Sequence, residues 1–492
     1  MRRTALSLAL ALLPSLALLP SRASAQALPL DTVLRSVETH FPLIAAADRD
    51  RDAADAELLA AEGAFDPQWR TRAAGGPVGY YNPLTLDTQV TQPTRLWGAQ
   101  LFAGYRFGQG LSYTGIPIYD GKIETNDYGE VRAGLTVPLL RNGPIDRARA
   151  NIQRAEHGRT AAEMGARQQR LEASRAATLR YWDWVAAGRR LEVARALLTL
   201  ASERDAGLAE RVARGDLPEF ERADNRRAIV QREGAVVSAR RAVEQAAIEL
   251  SLYLRDDRGE PRLPTDNELP PALTEPAALD VACVDRASRD ASARRPEPRR
   301  FEAQRERERV ERTWAENQRL PAIDVSVAAS QDLGPGPQSR DGVVLEAGVM
   351  VDIPILNRTA TGRERAASAA MERAEAQRRF AVERVNADVR DALSAPEAAR
   401  QRVDVARREV AIAHDLAARE RERFGLGDGT LLVLNLRETA AAEAGLREVD
   451  ALLDWRRAAA AWHFALGRAQ GEAVHCAPSP SLPREAGEGA RR

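Results

Sequence analysis

The chain carries the same succession of structural patterns twice, once in residues 28–256 and again in residues 277–467. Each copy begins with a helical pattern, continues through strand-like segments and ends in two long helical stretches. The first helical pattern ends in A-E-G-A-F-D-P (61–67), and its counterpart ends in A-E-N-Q-R-L-P (315–321). A repeat that joins short strands to very long helices restricts the fold to an elongated body made of two similar halves.

Two further pairs of segments correspond between the halves. The strand-like segment G-L-T-V-P-L-L (134–140) corresponds to V-D-I-P-I-L (351–356), and each leads directly into a helix. The two long helices of each half meet at a glycine-containing turn. The turn E-R-V-A-R-G-D-L-P-E-F (210–220) corresponds to E-R-E-R-F-G-L-G-D-G-T (420–430).

The charge balance argues against nucleic acid as a partner. The chain has 71 basic and 71 acidic residues, so its formal net charge is zero. A nucleic-acid-binding domain is normally basic, with lysine and arginine clustered on one face. No nucleic-acid partner is therefore predicted.

The N-terminus has the pattern of a secretory signal peptide, residues 1–25. Arg2 and Arg3 precede the apolar run Ala5–Leu19, and Ala23-Ser24-Ala25 fits the small-x-small cleavage rule. The mature chain is expected to begin near Gln26. Beyond that point the sequence has no run of 18 apolar residues.

The two cysteines, Cys283 and Cys476, lie in segments that flank the long helices. Thiols of an exported protein meet an oxidising compartment, where they can pair. The sequence leaves both alternatives open: a disulfide between Cys283 and Cys476, or two free thiols.

Alternation of apolar and polar residues predicts strands at about 67–140 and 321–356. Ala133, Leu135 and Val137 alternate with polar or small residues, and residues 323–329 and 345–355 alternate over longer runs. Runs of about ten alternating residues can cross a bilayer as tilted strands, and they also suit a half-buried soluble sheet. Six of the eight tyrosines lie in the first segment, which favours the membrane alternative because aromatic residues gather at bilayer interfaces.

Long proline-free stretches predict a helical hairpin in each half. Residues 144–254 form the first hairpin and residues 359–466 the second, with Pro396 as an expected kink. The predicted divisions of the chain are a first repeat at 26–256, a proline-rich connector at 257–298, a second repeat at 299–467 and a disordered tail at 468–492. The connector is expected to hold a short helix at about 277–287.

These elements give an α+β fold with four candidate membrane strands per chain. Four strands cannot close a barrel, and open sheet edges are not tolerated in lipid. If the strands cross a membrane, several copies of the chain must therefore pool them.

The chain resembles the TolC family of outer-membrane export factors over about residues 28–467. The resemblance rests on the duplicated order, the strand ends V-P-L-L and I-P-I-L, the turns R-x-G and R-F-G-x-G-x-T-x-L, and helix ends L-Y-L-R-D and F-A-L-G. It implies a homotrimer in the cell outer membrane, with a twelve-stranded barrel in lipid and a coiled-coil helical tunnel in the periplasm. It also implies a periplasmic adaptor, an inner-membrane transporter and a role in tripartite efflux or type I secretion of drugs, metals or polypeptides.

The resemblance also directs attention to the turns at the hairpin tips. Adaptor hairpins dock there in the family, which places candidate docking residues in both turns of this chain: Gly215, Phe424, Gly425, Gly427, Asp428 and Gly429. Family members often carry acidic rings just past the second turn, at positions that Val433 and Leu436 occupy here. Glu221 matches a family acid that latches helices. The hypothesis is that Glu221, Asp428 and Asn435 belong to a closed constriction.

No catalytic constellation is evident in the sequence. The five histidines are scattered without metal-ligand spacing, and G-Y-R-F-G-Q-G (104–110) lies in a strand region with no helix after it. The chain is therefore predicted to be no enzyme and to hold no cofactor or metal. Two other classes remain as alternatives, a non-channel periplasmic or surface coiled-coil scaffold or adhesin, and a hydrolase on a helical stalk that no motif supports.

Overall fold

The computed structural model describes residues 27–76, 78, 84–109, 112–113, 116–117, 124–275, 290–291, 293–336 and 342–468. The helices are α1 (Leu30–His40), α2 (Pro42–Glu62), α3 (Arg147–Ala213), α4 (Glu219–Ser251), α5 (Pro296–Asn317), α6 (Arg358–Leu426) and α7 (Leu431–Ala465). The expected signal peptide, the helix at 277–287, both cysteines and the tail beyond residue 468 lie outside the described residues.

The long helices have the predicted positions and lengths. Helix α3 has 67 residues and α6 has 69, so each extends for roughly 100 Å at 1.5 Å per residue. Helix α6 continues through Pro396, whose ring is buried. The helical pattern that opens the first repeat forms two helices, α1 and α2, because Pro42 forces Phe41 into an extended conformation.

The strands are β1 (Gln68–Gly75), β2 (Leu84–Pro93), β3 (Gln100–Gln109), β4 (Ser112–Tyr113), β5 (Ile116–Pro117), β6 (Glu130–Pro138), β7 (Ala322–Asp332) and β8 (Val343–Asp352). Six of them form one antiparallel sheet in the order β1-β2-β3-β6-β7-β8, and β4 pairs with β5. The combination of long helices with an antiparallel sheet confirms the α+β prediction.

The prediction of four long strands per chain is wrong, because the described sheet has six. The first half supplies two hairpins, whereas the second half supplies one. Leu84, Leu86 and Val90 share one face of β2, but Thr88 lies on the same face and weakens the alternation. In β1 the short sequence Q-W-R-T-R-A-A-G has even less contrast between its faces.

The strand register gives the sheet two chemically different faces. Residues directly opposite each other share a face, so Val90, Ala103, Ala133 and Ala329 form one row across four strands. We call this side the apolar face. The other side, the polar face, carries residues such as Asp87, Arg106, Glu130 and Asp332, which are also opposite one another in the register.

Both strand-to-helix junctions contain an asparagine in a left-handed backbone conformation. Asn142 lies five residues before α3 with φ +67°, and Asn357 lies immediately before α6 with φ +43°. Asparagine tolerates this left-handed conformation better than most residues. The two halves therefore leave the sheet through similar turns, as the duplicated sequence suggests.

Small residues form the seams between the long helices. Buried alanines of α6 recur every seven positions, at Ala360, Ala367, Ala374 and Ala381. A seven-residue spacing keeps one stripe of a helix against its neighbour over a long distance. In the middle of the molecule the seam widens into a larger core, where Trp184, Val185, Leu250 and Val403 are fully buried.

Among the described residues, no helix combines the length and the apolar composition that a membrane span requires.

The alanine seam gives a testable expectation about stability. We expect Ala374→Leu to lower the free energy of unfolding by about 1–3 kcal/mol, because a larger side chain overpacks a close helix contact. Denaturant unfolding followed by circular dichroism measures the change. The matched control is Ala376→Leu, at an exposed position of the same helix, which should leave the unfolding midpoint close to wild type. Equal effects of the two substitutions would contradict the seam.

Candidate functional site at the helical tips

The turn between α3 and α4 is closed by glycine. Gly215 has φ +81°, a left-handed conformation that glycine adopts without strain. The N–H of Asp216 then donates to the carbonyl of Arg211 at 2.9 Å, which satisfies one of the last carbonyls of α3. The chain reverses at once, and Pro218 precedes the first residue of α4.

The turn between α6 and α7 uses the same kind of helix end. Gly427 has φ +89°, and the N–H of Asp428 donates to the carbonyl of Arg423 at 3.0 Å. Gly429 lies so close to α6 that an added Cβ would come within 2.8 Å of a Glu420 carboxylate oxygen. Thr430 then caps α7 through its side chain. The two turns together are the tips of the helical body.

Behind the tips, a buried polar cluster joins the two hairpins. We call Arg204, Asn225, Arg232, Asn435 and Glu438 the tip cluster. Arg204 of α3 donates to both carboxylate oxygens of Glu438 of α7 at 3.0 Å, and to the amide oxygen of Asn435 at 2.8 Å. It lies eleven residues before Gly215, about 16 Å along the helix axis.

Helix α4 completes the cluster through two residues. Arg232 donates to the carbonyl of Leu197 at 2.8 Å and to Glu438 at 3.3 Å. Asn225 accepts from Arg204 at 2.9 Å and donates to the carbonyl of Ala201 at 3.1 Å. The cluster therefore holds α3, α4 and α7 together through hydrogen bonds to side chains and backbone.

The electrostatics of the cluster depend on Glu438. Its side chain is 1% exposed and faces Arg204 and Arg232, with Arg421 of α6 at 3.5 Å. Burial lowers the pKa of Arg232, and the nearby carboxylate of Glu438 opposes that shift. A single carboxylate thus offsets two buried guanidinium groups, which makes it the residue on which this contact between hairpins depends.

The structure separates the residues that sequence reasoning grouped as a constriction. Asn435 is half-buried within the tip cluster, whereas Asp428 is exposed in its turn and its carbonyl accepts from Arg423 at 3.1 Å. Glu221 is half-buried in the first turn of α4. The three residues therefore occupy three different surroundings in one chain.

The docking candidates of the second turn also differ in exposure. Gly425, Gly427 and Asp428 are exposed, and Gly429 is half-buried against α6. The half-buried ring of Phe424 lies under Arg211 of α3, with the guanidinium carbon 5.5 Å from the ring centre. Gly215, in the other turn, is exposed.

Apolar side chains are exposed around the second tip. The exposed fraction is 75% for Leu426, 69% for Leu432 and 61% for Leu436, and Phe220 of the first tip is 63% exposed. Val433 and Leu436 hold the places where family resemblance suggests acids. One chain therefore presents exposed apolar side chains here, with Arg423, Asp428 and Arg437 as nearby exposed charges.

The sequence singled out Asn435 as a constriction candidate, and it did not indicate the other members of the tip cluster. Glu438 follows Asn435 by three residues, so the two side chains share a face of α7. A carboxylate on the same helical face as buried leucines, Leu431 and Leu434 among them, is the signal that was available. The arginine partners could not be chosen from the sequence, because the long helices carry many arginines. No group of three or more metal-ligating side chains occurs in the described residues.

No protein-family model matches the chain, and no curated protein matches it by sequence. Its fold is that of bacterial outer-membrane channels. The outer membrane channel CmeC of Campylobacter jejuni is 14% identical, with 90% of this chain and 87% of that chain covered and a TM-score of 0.62. The outer membrane protein VceC of Vibrio cholerae is 15% identical, with 89% and 96% covered and a TM-score of 0.62. The MtrE outer membrane channel of Neisseria gonorrhoeae, in its open state, is 17% identical, with 89% of each chain covered and a TM-score of 0.62.

The buried carboxylate of the tip cluster can be tested directly. We expect Glu438→Gln to lower the free energy of unfolding by about 3–5 kcal/mol, the usual cost of removing one partner from a buried ion pair. The control is Glu443→Gln on the same helix, whose carboxylate is 59% exposed and lies 3.9 Å from Arg447, and which should cost less than about 1 kcal/mol. Denaturant unfolding at neutral pH distinguishes the two, and a Glu438→Gln protein as stable as the control would contradict the assignment.

Proposed function

We propose that the chain is one subunit of a channel in the cell outer membrane, with its sheet in lipid and its long helices in the periplasm. The observation that carries the proposal is the two-faced sheet with open edges, attached to helical hairpins of roughly 100 Å. The fold shared with outer-membrane channels over most of both chains supports it.

The apolar face of the sheet suits contact with lipid hydrocarbon. The long strands have eight to eleven residues, close to what a tilted strand needs to cross a bilayer. Their apolar-face residues are mostly aliphatic or aromatic and are widely exposed in one chain. They include Leu84, Val90, Leu101, Leu135, Val327, Leu345 and Val349.

The open edges of the sheet call for further copies of the chain. In the described residues, β1 pairs only with β2, and β8 pairs only with β7. Lipid offers no hydrogen-bonding partner for free backbone groups, so a membrane sheet has to close on itself. We propose that three copies do this as a homotrimer, the assembly that the resemblance to the TolC family implies.

The polar face then lines a water-filled passage. Arg132 donates to both carboxylate oxygens of Asp87 at 2.7 Å, and Arg106 pairs with Glu130 on the same face. Such ion pairs suit an aqueous lumen and not a hydrocarbon layer. Substrates would pass without any chemical step, moving down a duct that continues between the helices.

The tips are the proposed point of control and of docking. In this proposal the glycine turns, with Gly215 in one and Gly427 in the other, meet a periplasmic adaptor that links the channel to an inner-membrane transporter. The proposed cargo is that of tripartite efflux or type I secretion. The exposed leucines near Leu436 suit an apolar closure, while Glu221, Asp428 and Asn435 remain the polar candidates for the constriction.

The location and assembly can be tested by cell fractionation. We expect the mature protein in the outer-membrane fraction, extracted only by detergent and with the native mass of three copies, because its apolar sheet face needs lipid. Native mass spectrometry of the extracted protein measures the assembly. Recovery from the soluble periplasm would instead favour the scaffold alternative and overturn the proposal.

The acidic candidates at the tips can be tested by ion selectivity. Three copies would place a ring of Asp428 carboxylates and a ring of Glu221 carboxylates at the constriction, and acidic rings favour cations. We expect Asp428→Ala, and Glu221→Ala, to reduce the cation-to-anion permeability ratio, measured as the reversal potential across a salt gradient in planar bilayers. The control is Asp415→Ala, an exposed carboxylate of α6 thirteen residues before Asp428. Unchanged selectivity and conductance in both tip variants would remove these acids from the constriction.

A further inference from the structure

The number of strands that each copy contributes to the membrane follows from the sheet itself. We infer that all six long strands cross the membrane, so that three copies close a barrel of eighteen strands. The inference rests on the proposed function, and it differs from the twelve strands that the family resemblance implies. The difference lies in the first hairpin, which we define as β1 and β2 (Gln68–Pro93).

The first hairpin continues the two faces of the sheet, with less contrast between them in β1. Leu86 lies opposite Phe107 and Val90 lies opposite Ala103, all on the apolar face. On the polar face, Asp87 lies opposite Arg106 on one side and Arg72 on the other. The division into two faces therefore continues in phase from β3 into the first hairpin.

An ion pair ties the hairpin to the polar face across an intervening strand. Arg132 of β6 reaches over β3 to Asp87 of β2, with both carboxylate oxygens at 2.7 Å. Its guanidinium also donates to Gln89 of β2 at 3.1 Å. The charged side of the hairpin is therefore continuous with the face proposed to line the lumen.

The helical end of the hairpin is fixed at the level of the other strands. Gln92 donates to the carbonyl of Phe65 at 2.7 Å, just after α2. In the turn between β2 and β3, Gly98 has φ +68°, and an added Cβ would lie 2.5 Å from the carbonyl oxygen of Asn142, in the segment between β6 and α3. The turn thus packs against a strand-to-helix junction, which anchors the hairpin within the sheet.

The edge position of β1 gives an independent reason for membrane insertion. Every residue of β1 is exposed in one chain, and the ring of Trp69 at its helical end is 79% exposed. An open, uncovered edge in water is an aggregation hazard. Pairing β1 with β8 of a second copy removes both edges, and it leaves Trp69 where an interfacial aromatic residue is expected.

Eighteen strands would give a wide duct through the membrane. With strands about 4.8 Å apart and tilted by about 40°, a backbone diameter near 36 Å follows for eighteen strands, against about 24 Å for twelve. Barrels of sixteen to eighteen strands leave an open aqueous channel. The sheet would then not limit the size of the cargo, and the helical tips would set that limit alone.

Spin-label accessibility in lipid vesicles tests the position of the first hairpin. In a Cys283→Ser/Cys476→Ser background, single cysteines replace Leu86 and Val90 on the apolar face, and Thr85 and Gln89 on the polar face. After nitroxide labelling, collision rates with oxygen report lipid and those with a water-soluble nickel chelate report water. We expect oxygen to dominate at Leu86→Cys and Val90→Cys, and nickel at Thr85→Cys and Gln89→Cys.

Labels on β8 separate the inference from the proposed function. Leu345→Cys on the apolar face and Glu346→Cys on the polar face should give the same contrast. If β8 shows the contrast and β2 is accessible to nickel at every position, the first hairpin lies outside the membrane and the inference fails alone. If neither strand shows it, the proposed function fails as well. A variant that does not assemble is replaced by Thr88→Cys on the apolar face or Thr91→Cys on the polar face.

Discussion

The unpaired backbone at the two edges of the sheet is the constraint on which the rest of the account depends. Within the described chain, β1 and β8 each have a neighbour on one side alone. Their apolar side chains are also exposed, so neither water nor lipid is a suitable environment for one copy. In the proposed assembly, closure by further copies would satisfy both the backbone and the side chains, and it would give the polar face an interior to line.

The helical body meets a different requirement, close contact over a long distance. Small residues at seven-residue intervals let α6 pack closely along α5. The tip cluster adds a polar contact between the two hairpins near their end. In the tip cluster, the buried carboxylate of Glu438 faces Arg204 and Arg232, and removing one partner of such a buried ion pair lowers the stability strongly.

The sequence predicted the helices well because their signals are long. Proline-free stretches and recurring apolar residues located α3 and α6 to within a few residues. The sheet was predicted less well. In β2, threonine and glutamine also occur on the face that carries leucine and valine, which weakens the alternation of apolar and polar residues. Of the candidate site, Asn435 was found through family resemblance, but Arg204 and Arg232 were not. Their partner is distant in sequence, and only packing of the hairpins brings them to Glu438.

The most direct test of the central claim is an electron cryo-microscopy map of the detergent-extracted protein returned to lipid nanodiscs. The account predicts a closed ring of sheets from several copies, with a water-filled lumen that continues between the helices. In that map the edge strand β8 of each copy pairs with a strand of the next copy. A sheet that closes within one chain, or one whose edges are covered by its own helices, would contradict the claim.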